Sequence, residues 1–154
     1  MQLSKHFELA EFTRSSTAKR RGISNTPTEA HIESIKLLCS KVLEPIREHF
    51  ARPIILSSGY RSAALNAATP GASSTSQHSS GEAADIDMDG TNITNAQVFN
   101  YIKDNLDFDQ LIWEFGTDSN PDWVHVSYES SGRQRKQILR AVKKNGKTSY
   151  IPYR

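Results

Sequence analysis

The residues of this 154-residue chain best suited to chemistry are two histidines and two aspartates. His78 and Asp85 lie in Ser76-Gln77-His78-Ser79-Ser80-Gly81-Glu82-Ala83-Ala84-Asp85, and the others in Asp122-Trp123-Val124-His125. Two imidazoles and one carboxylate, His78, His125 and Asp85, are a donor set suited to a catalytic zinc ion that keeps a fourth position open for water. Asp122 is then free to act as a base. Taken singly, each residue also has an ordinary reading: His78 solvated on a polar loop, Asp85 paired with a cation, Asp122 capping its own turn, and His125 a core histidine satisfied by one hydrogen bond.

These side chains need elements that aim them. The run of Ser, Gln and Gly around His78 excludes a packed helix or strand, whereas Ala83 to Met88 alternates small or acidic residues with Ala84, Ile86 and Met88. A loop therefore enters a strand on which Asp85 faces away from a buried side, and Gly81 supplies the turn that brings His78 back over Asp85. Asp122 to Tyr128 reads as a second strand, with His125 on the face of Trp123 and Ser127. Asn120-Pro121 bends the chain before it, so Asp122 and His125 can be aimed at one point although an unbroken strand would set them on opposite faces.

In order, Ser76, His78, Gly81, Ala83 and Asp85 fit S-x-H-x-x-G-x-A-x-D, and Asp122 and His125 fit a later D/E-x-x-H. This pattern resembles the zinc D-alanyl-D-alanine carboxypeptidase and L-alanyl-D-glutamate endopeptidase family of peptidoglycan hydrolases. Ser57-Ser58-Gly59-Tyr60-Arg61-Ser62 is similar to that family's S-G-Y-R segment, and the likeness continues through Phe108 to Glu114, covering roughly Phe7 to Val142. The resemblance implies that His78, Asp85 and His125 hold zinc. It further implies that Asp122 activates the zinc-bound water and later protonates the leaving amine, while Arg61 steadies the substrate carbonyl or carboxylate. Asp occupies the base position where some relatives carry Glu.

Helices fall mainly early and strands late, which argues for α+β with a small, mostly antiparallel sheet. The resemblance implies helices packed on one side of it, in the D-Ala-D-Ala peptidase or hedgehog-like architecture. The implied reaction is hydrolysis of an amide bond in a bacterial peptidoglycan stem peptide. An L-alanyl-D-glutamate endopeptidase of the phage endolysin kind is favoured over a D-alanyl-D-alanine carboxypeptidase, because an internal cut severs crosslinks and removal of a terminal residue does not. The rival class is a non-catalytic, metal-bearing wall-binding or virion module on the same fold.

The length suits one domain spanning 1–154, and no shift in composition divides it. A formal net charge of +2 is too small to argue for nucleic-acid binding but suits approach to an anionic cell wall. A monomer is expected. The single cysteine, Cys39, falls on an apolar helical face and reads as a small buried hydrophobe. No apolar run is long enough to insert across a membrane, and Met1 to Phe7 lacks the layout of a secretory signal. The expectation is a protein cytoplasmic as synthesised that acts on the wall after release during host lysis.

Elsewhere, Phe7 to Phe12 predicts a short helix, and Arg14, Lys19, Arg20 and Arg21 a solvated face or loop. Thr26-Pro27-Thr28-Glu29 predicts a helix start with Thr26 as N-cap, Ile32, Ile35, Leu38, Val42 and Ile46 its apolar face, and Pro45 a kink. His49 near its end suits the helix dipole. Pro53 to Leu56 predicts a buried strand that delivers Arg61 just beyond its end. A small helix over Ser62 to Ala68 and a loop over Thr69 to Thr75, suited to form a mobile cleft wall, follow. Thr94 to Leu106 predicts a helix behind the sheet, and Gln110 to Glu114 a strand hairpinned to that of His125. Glu114 is then either a carboxylate supporting a ligand histidine or a plain surface residue. Lys136 to Val142 and Lys147 to Ile151 predict a basic hairpin turning at Asn145-Gly146.

Overall fold

The computed structural model describes residues 1–70, 72, 73 and 75–154. Gly71 and Ser74, within the loop expected to wall the cleft, lie outside the described residues. Helix α1 (Leu9–Thr13) opens with a capping box between Glu8 and Glu11. Helix α2 (Ser16–Arg21) makes the basic segment a solvated helical face and not a loop: Ser15 caps it, Gly22 ends it in left-handed conformation, and Lys19, Arg20 and Arg21, all exposed, sit in its last turn. Their charge suits the negative end of the helix dipole there.

Helix α3 (Glu29–Leu38) begins two residues after the predicted start. Thr28, not Thr26, is the N-cap, because its hydroxyl reaches the His31 amide directly and leaves Pro27 outside the helix. The spiral continues through a π-helical turn (Cys39–Leu43) into α4 (Glu44–Phe50). That turn lies just before Pro45, where a wider spiral accommodates the missing amide and the ring, so the predicted kink takes this form. Ile35, Leu38, Cys39, Val42 and Ile46 are buried on one side, as their spacing requires. His49 stacks on Tyr101 with ring centroids 4.0 Å apart. Helix α5 (Ala63–Ala67) is capped by Ser62. Among the described residues, no helix is long and apolar enough to cross a membrane.

Strands β1 (Leu56–Ser58), β2 (Ala83–Ile86), β3 (Gln110–Glu114), β4 (Trp123–Ser127), β5 (Gln137–Lys144) and β6 (Lys147–Pro152) form a six-stranded sheet in the order β1-β2-β4-β3-β5-β6. Only β3 and β5 run parallel, so the fold is α+β with a mostly antiparallel sheet. β1 starts later than the apolar run predicted: Ile54 is buried in the core, but pairing begins with Leu56 opposite Ile86. Asn145 and Gly146 both take positive φ, the conformation a two-residue turn between β5 and β6 requires.

One face of the sheet is the core. Ala84, Ile86, Leu111, Trp113, Val124 and Val126 turn toward it and join Val98, Phe99 and Ile102 of helix α6 (Asn95–Asn105). Phe99 meets Trp113 edge-on, with centroids 5.1 Å apart. The two-residue period of strands then sends Asp85, Ile112, Glu114, Trp123 and His125 to the opposite face. Core packing on one side thus aims the chemistry on the other.

Candidate active site

β2 and β4 are neighbours, with Asp85 directly opposite His125. Their side chains meet, His125 Nδ1 lying 3.1 Å from Asp85 Oδ1. His78 arrives from a short 3-10 turn (Gln77–Ser80), capped by Ser76 and ended by Gly81 at φ 77°. A Cβ on Gly81 would stand 2.5 Å from the His31 carbonyl oxygen, so the turn packs against α3 where only glycine fits.

His78 is buried, and its Nδ1 donates to the Gly59 carbonyl at 2.6 Å. That bond fixes the ring and leaves Nε2 facing Asp85 Oδ1 at 3.3 Å, the arrangement by which a metal-binding histidine is oriented. Gly59 packs on the backbone of Phe12, where an added Cβ would come within 2.7 Å of the Phe12 Cα. The S-G-Y-R segment therefore supports His78 as well as carrying Arg61. One donor atom each from His78, Asp85 and His125 lies within 4.8 Å of the others. Two imidazoles and a carboxylate converging this closely fit a zinc ion.

Burial alone would push the Asp85 carboxyl up, but the charge of His78 and hydrogen bonds from His125 and His78 hold it well below the usual carboxylate range. The site favours an anion between two imidazoles. Asp122 stands outside this donor group on the bend before β4, exposed and lining the same cleft. Its backbone is pinned: the amide donates to the Glu114 carbonyl at 2.9 Å, and its carbonyl accepts from Asn95 Nδ2 at 3.0 Å.

The Arg61 amide donates to the His78 carbonyl at 3.1 Å, which ties the two motifs together. Its guanidinium lies at the cleft wall, where Nη2 reaches Ser76 Oγ only at 3.5 Å and Nε is buried without a partner among the described residues. Burial pulls its pKa down, and the charge of Asp85 opposes that. A buried donor left open in a cleft is suited to a ligand oxygen.

Glu114 is not a surface residue. Only 6 % exposed, it is pushed up to about 7 by burial, with His125 opposing and Asp85 reinforcing the shift. It is a second acid in the cleft floor. Two supporting residues were given no role by the motifs, although Asp109 lies within the segment of likeness from Phe108 to Glu114. Asn95 donates to both Pro121 and Asp122 carbonyls and accepts from the Met88 amide. Buried Asp109 accepts from Arg135 Nε and Nη2 and from Gln77 Nε2 at 3.0 Å, linking the His78 turn to the start of β3.

A family model described as peptidase M15 matches residues 5–127, the span that contains Arg61, His78, Asp85, Asp122 and His125. The chain belongs to the peptidase M15 family. M15 peptidases are zinc-dependent, so the chain is a zinc metallopeptidase, of a family acting on peptidoglycan-type substrates. The M15 match ends short of Val142, to which the sequence likeness extends, and leaves the hairpin of β5 and β6 outside it. Comparison with curated proteins finds no match.

Proposed function

We propose that His78, Asp85 and His125 hold the zinc ion of this M15 peptidase, and that the enzyme cuts an amide bond within a peptidoglycan stem peptide as an L-alanyl-D-glutamate endopeptidase. The observation that carries the reading is the convergence of three donor atoms within 4.8 Å in the floor of a cleft. When bound there, zinc supplies the Lewis acidity that amide hydrolysis needs. Asp122 takes the proton of the attacking water and returns it to the leaving amine. Arg61, through its Nε, which has no partner among the described residues, donates to the substrate carbonyl oxygen, where negative charge develops.

The cleft is a half-open space of about 1440 Å³. It exceeds the roughly 300–1000 Å³ of small-ligand pockets, which leaves room for an extended peptide. An internal cut of that kind severs the wall, which suits a single-domain, monomeric endolysin released onto its substrate.

Digestion of purified peptidoglycan, followed by identification of the new amino terminus, tests the reading. A free amine on D-Glu is expected. Release of D-Ala without that amine identifies a carboxypeptidase instead, and binding to the wall without any cleavage identifies a non-catalytic module.

A further inference from the structure

The cleft has a wall that the M15 match does not cover, built by the hairpin of β5 and β6. Cross-strand register places Trp123, Glu114, Ala141 and Tyr150 side by side over β4, β3, β5 and β6. Ala141 is fully buried and small, so Tyr150 can reach over it toward the cleft floor. Tyr150 lines the cleft with Glu114, Asp85 and Arg61, and the charges of all three act on its phenol. The residue as a whole is nevertheless 52 % exposed, and among the described residues its hydroxyl has no hydrogen-bond partner. Burial, the largest influence on this phenol, raises its pKa and keeps it a donor at neutral pH.

Lys143 and Lys147 line the same wall, exposed and without an ion pair among the described residues; Lys143 shares the strand face of Ala141 and Tyr150, whereas Lys147, paired with Lys144 beside the turn, sits at the alternate register position and borders the wall only at its rim. Lys143 Nζ stands 5.8 Å from the Phe115 ring centroid, which holds it over the cleft side of the sheet. Asp85, Glu114 and Asp122 line the cleft together with Arg61, and the hairpin adds Lys143 and Lys147 at its wall. A peptide lying over the metal-binding residues can therefore bring a carboxylate to the hairpin cations.

We propose that Tyr150, Lys143 and Lys147 form a carboxylate-binding subsite that sets the register of an anionic peptide over the metal-binding residues. The proposal rests on the peptidase reading above and adds a specificity determinant to it. The Tyr150 hydroxyl donates to the peptide, while the two ammonium groups attract its carboxylate at the rim.

The test compares the zinc-loaded enzyme on two substrates, a muropeptide with free carboxylates and the same muropeptide with them converted to carboxamides. The wild-type enzyme is expected to show a KM about fivefold lower for the carboxylate form, the scale of an exposed charge interaction. Lys143→Gln/Lys147→Gln should reduce that preference to less than about twofold, and Tyr150→Phe should lower kcat/KM about fivefold on the carboxylate form. All three side chains are exposed, so zinc content and thermal midpoint serve as controls for folding. Equal KM values for the wild type, or an undiminished preference in the lysine variant, overturn the subsite and leave the peptidase reading standing. If the wild type cuts neither muropeptide, the peptidoglycan reading falls and the subsite falls with it.

Discussion

The side-chain amide of Asn95 donates to the backbone carbonyl of Asp122 at 3.0 Å, so the first residue of α6 holds the bend that carries the proposed base. The same side chain accepts from the Met88 amide at 2.7 Å and donates to the Pro121 carbonyl at 3.2 Å. Asn120 adds to the clamp by accepting from the Ala96 amide at 2.9 Å. Asn95→Ala should cost about 1–3 kcal/mol of stability, because buried partners lose their bonds. With the base misplaced, kcat should fall at least about tenfold while zinc content and KM stay near wild type. An unchanged kcat in the folded variant removes Asn95 from the positioning of Asp122.

Asp122→Asn keeps the shape of the bend and removes the proton acceptor. Hydrolysis should fall by about 100-fold or more, the usual range for general-base loss, with zinc retained. Loss of zinc along with activity makes Asp122 a ligand, and near-normal turnover excludes it from the reaction.

Gly81→Ala tests the turn that delivers His78. The new methyl meets the His31 carbonyl at a backbone φ of 77°, so a cost of about 1–3 kcal/mol is expected from strain alone. His78 moves with the turn, and zinc affinity should drop as well. Chemical denaturation and a zinc titration measure the two effects separately.

Glu114 gives a pH signature in the metal-free protein. Burial raises its carboxyl to about 7, so the folded state holds this proton more tightly than the unfolded chain. The stabilisation is fully present below the unfolded value of roughly 4.3 and is lost as pH rises through the folded one. Thermal midpoints recorded without metal from about pH 5 to 8 should therefore decline, and Glu114→Gln should flatten the decline. A wild-type profile already flat over that range would falsify the assignment of Glu114 as a buried acid.

Much of the site was legible because local rules position it. Period-two alternation in Ala84 and Ile86, and again in Val124 and Val126, faces Asp85 and His125 away from the core, and Gly81 marks the return turn. Asn145-Gly146 likewise announced its hairpin. Residues whose partners are distant in sequence left no such trace. Asp109 finds Gln77 and Arg135 only after folding, Asn95 reads locally as an ordinary helix start, and Tyr150 reaches the cleft only through the parallel pairing of β3 with β5. Choices between near neighbours were lost too. Thr26 and Thr28 are equally good caps by composition, and only the geometry selects Thr28.

Zinc bound per chain, measured on purified protein after removal of loosely held metal, bears most directly on the proposed His78, Asp85 and His125 centre. About one zinc is expected for the wild type and for Asp122→Asn, and well below one for His78→Ala and for His125→Ala, since each removes a donor from a three-residue set. Stoichiometric zinc in the folded His78→Ala/His125→Ala double variant contradicts the assignment.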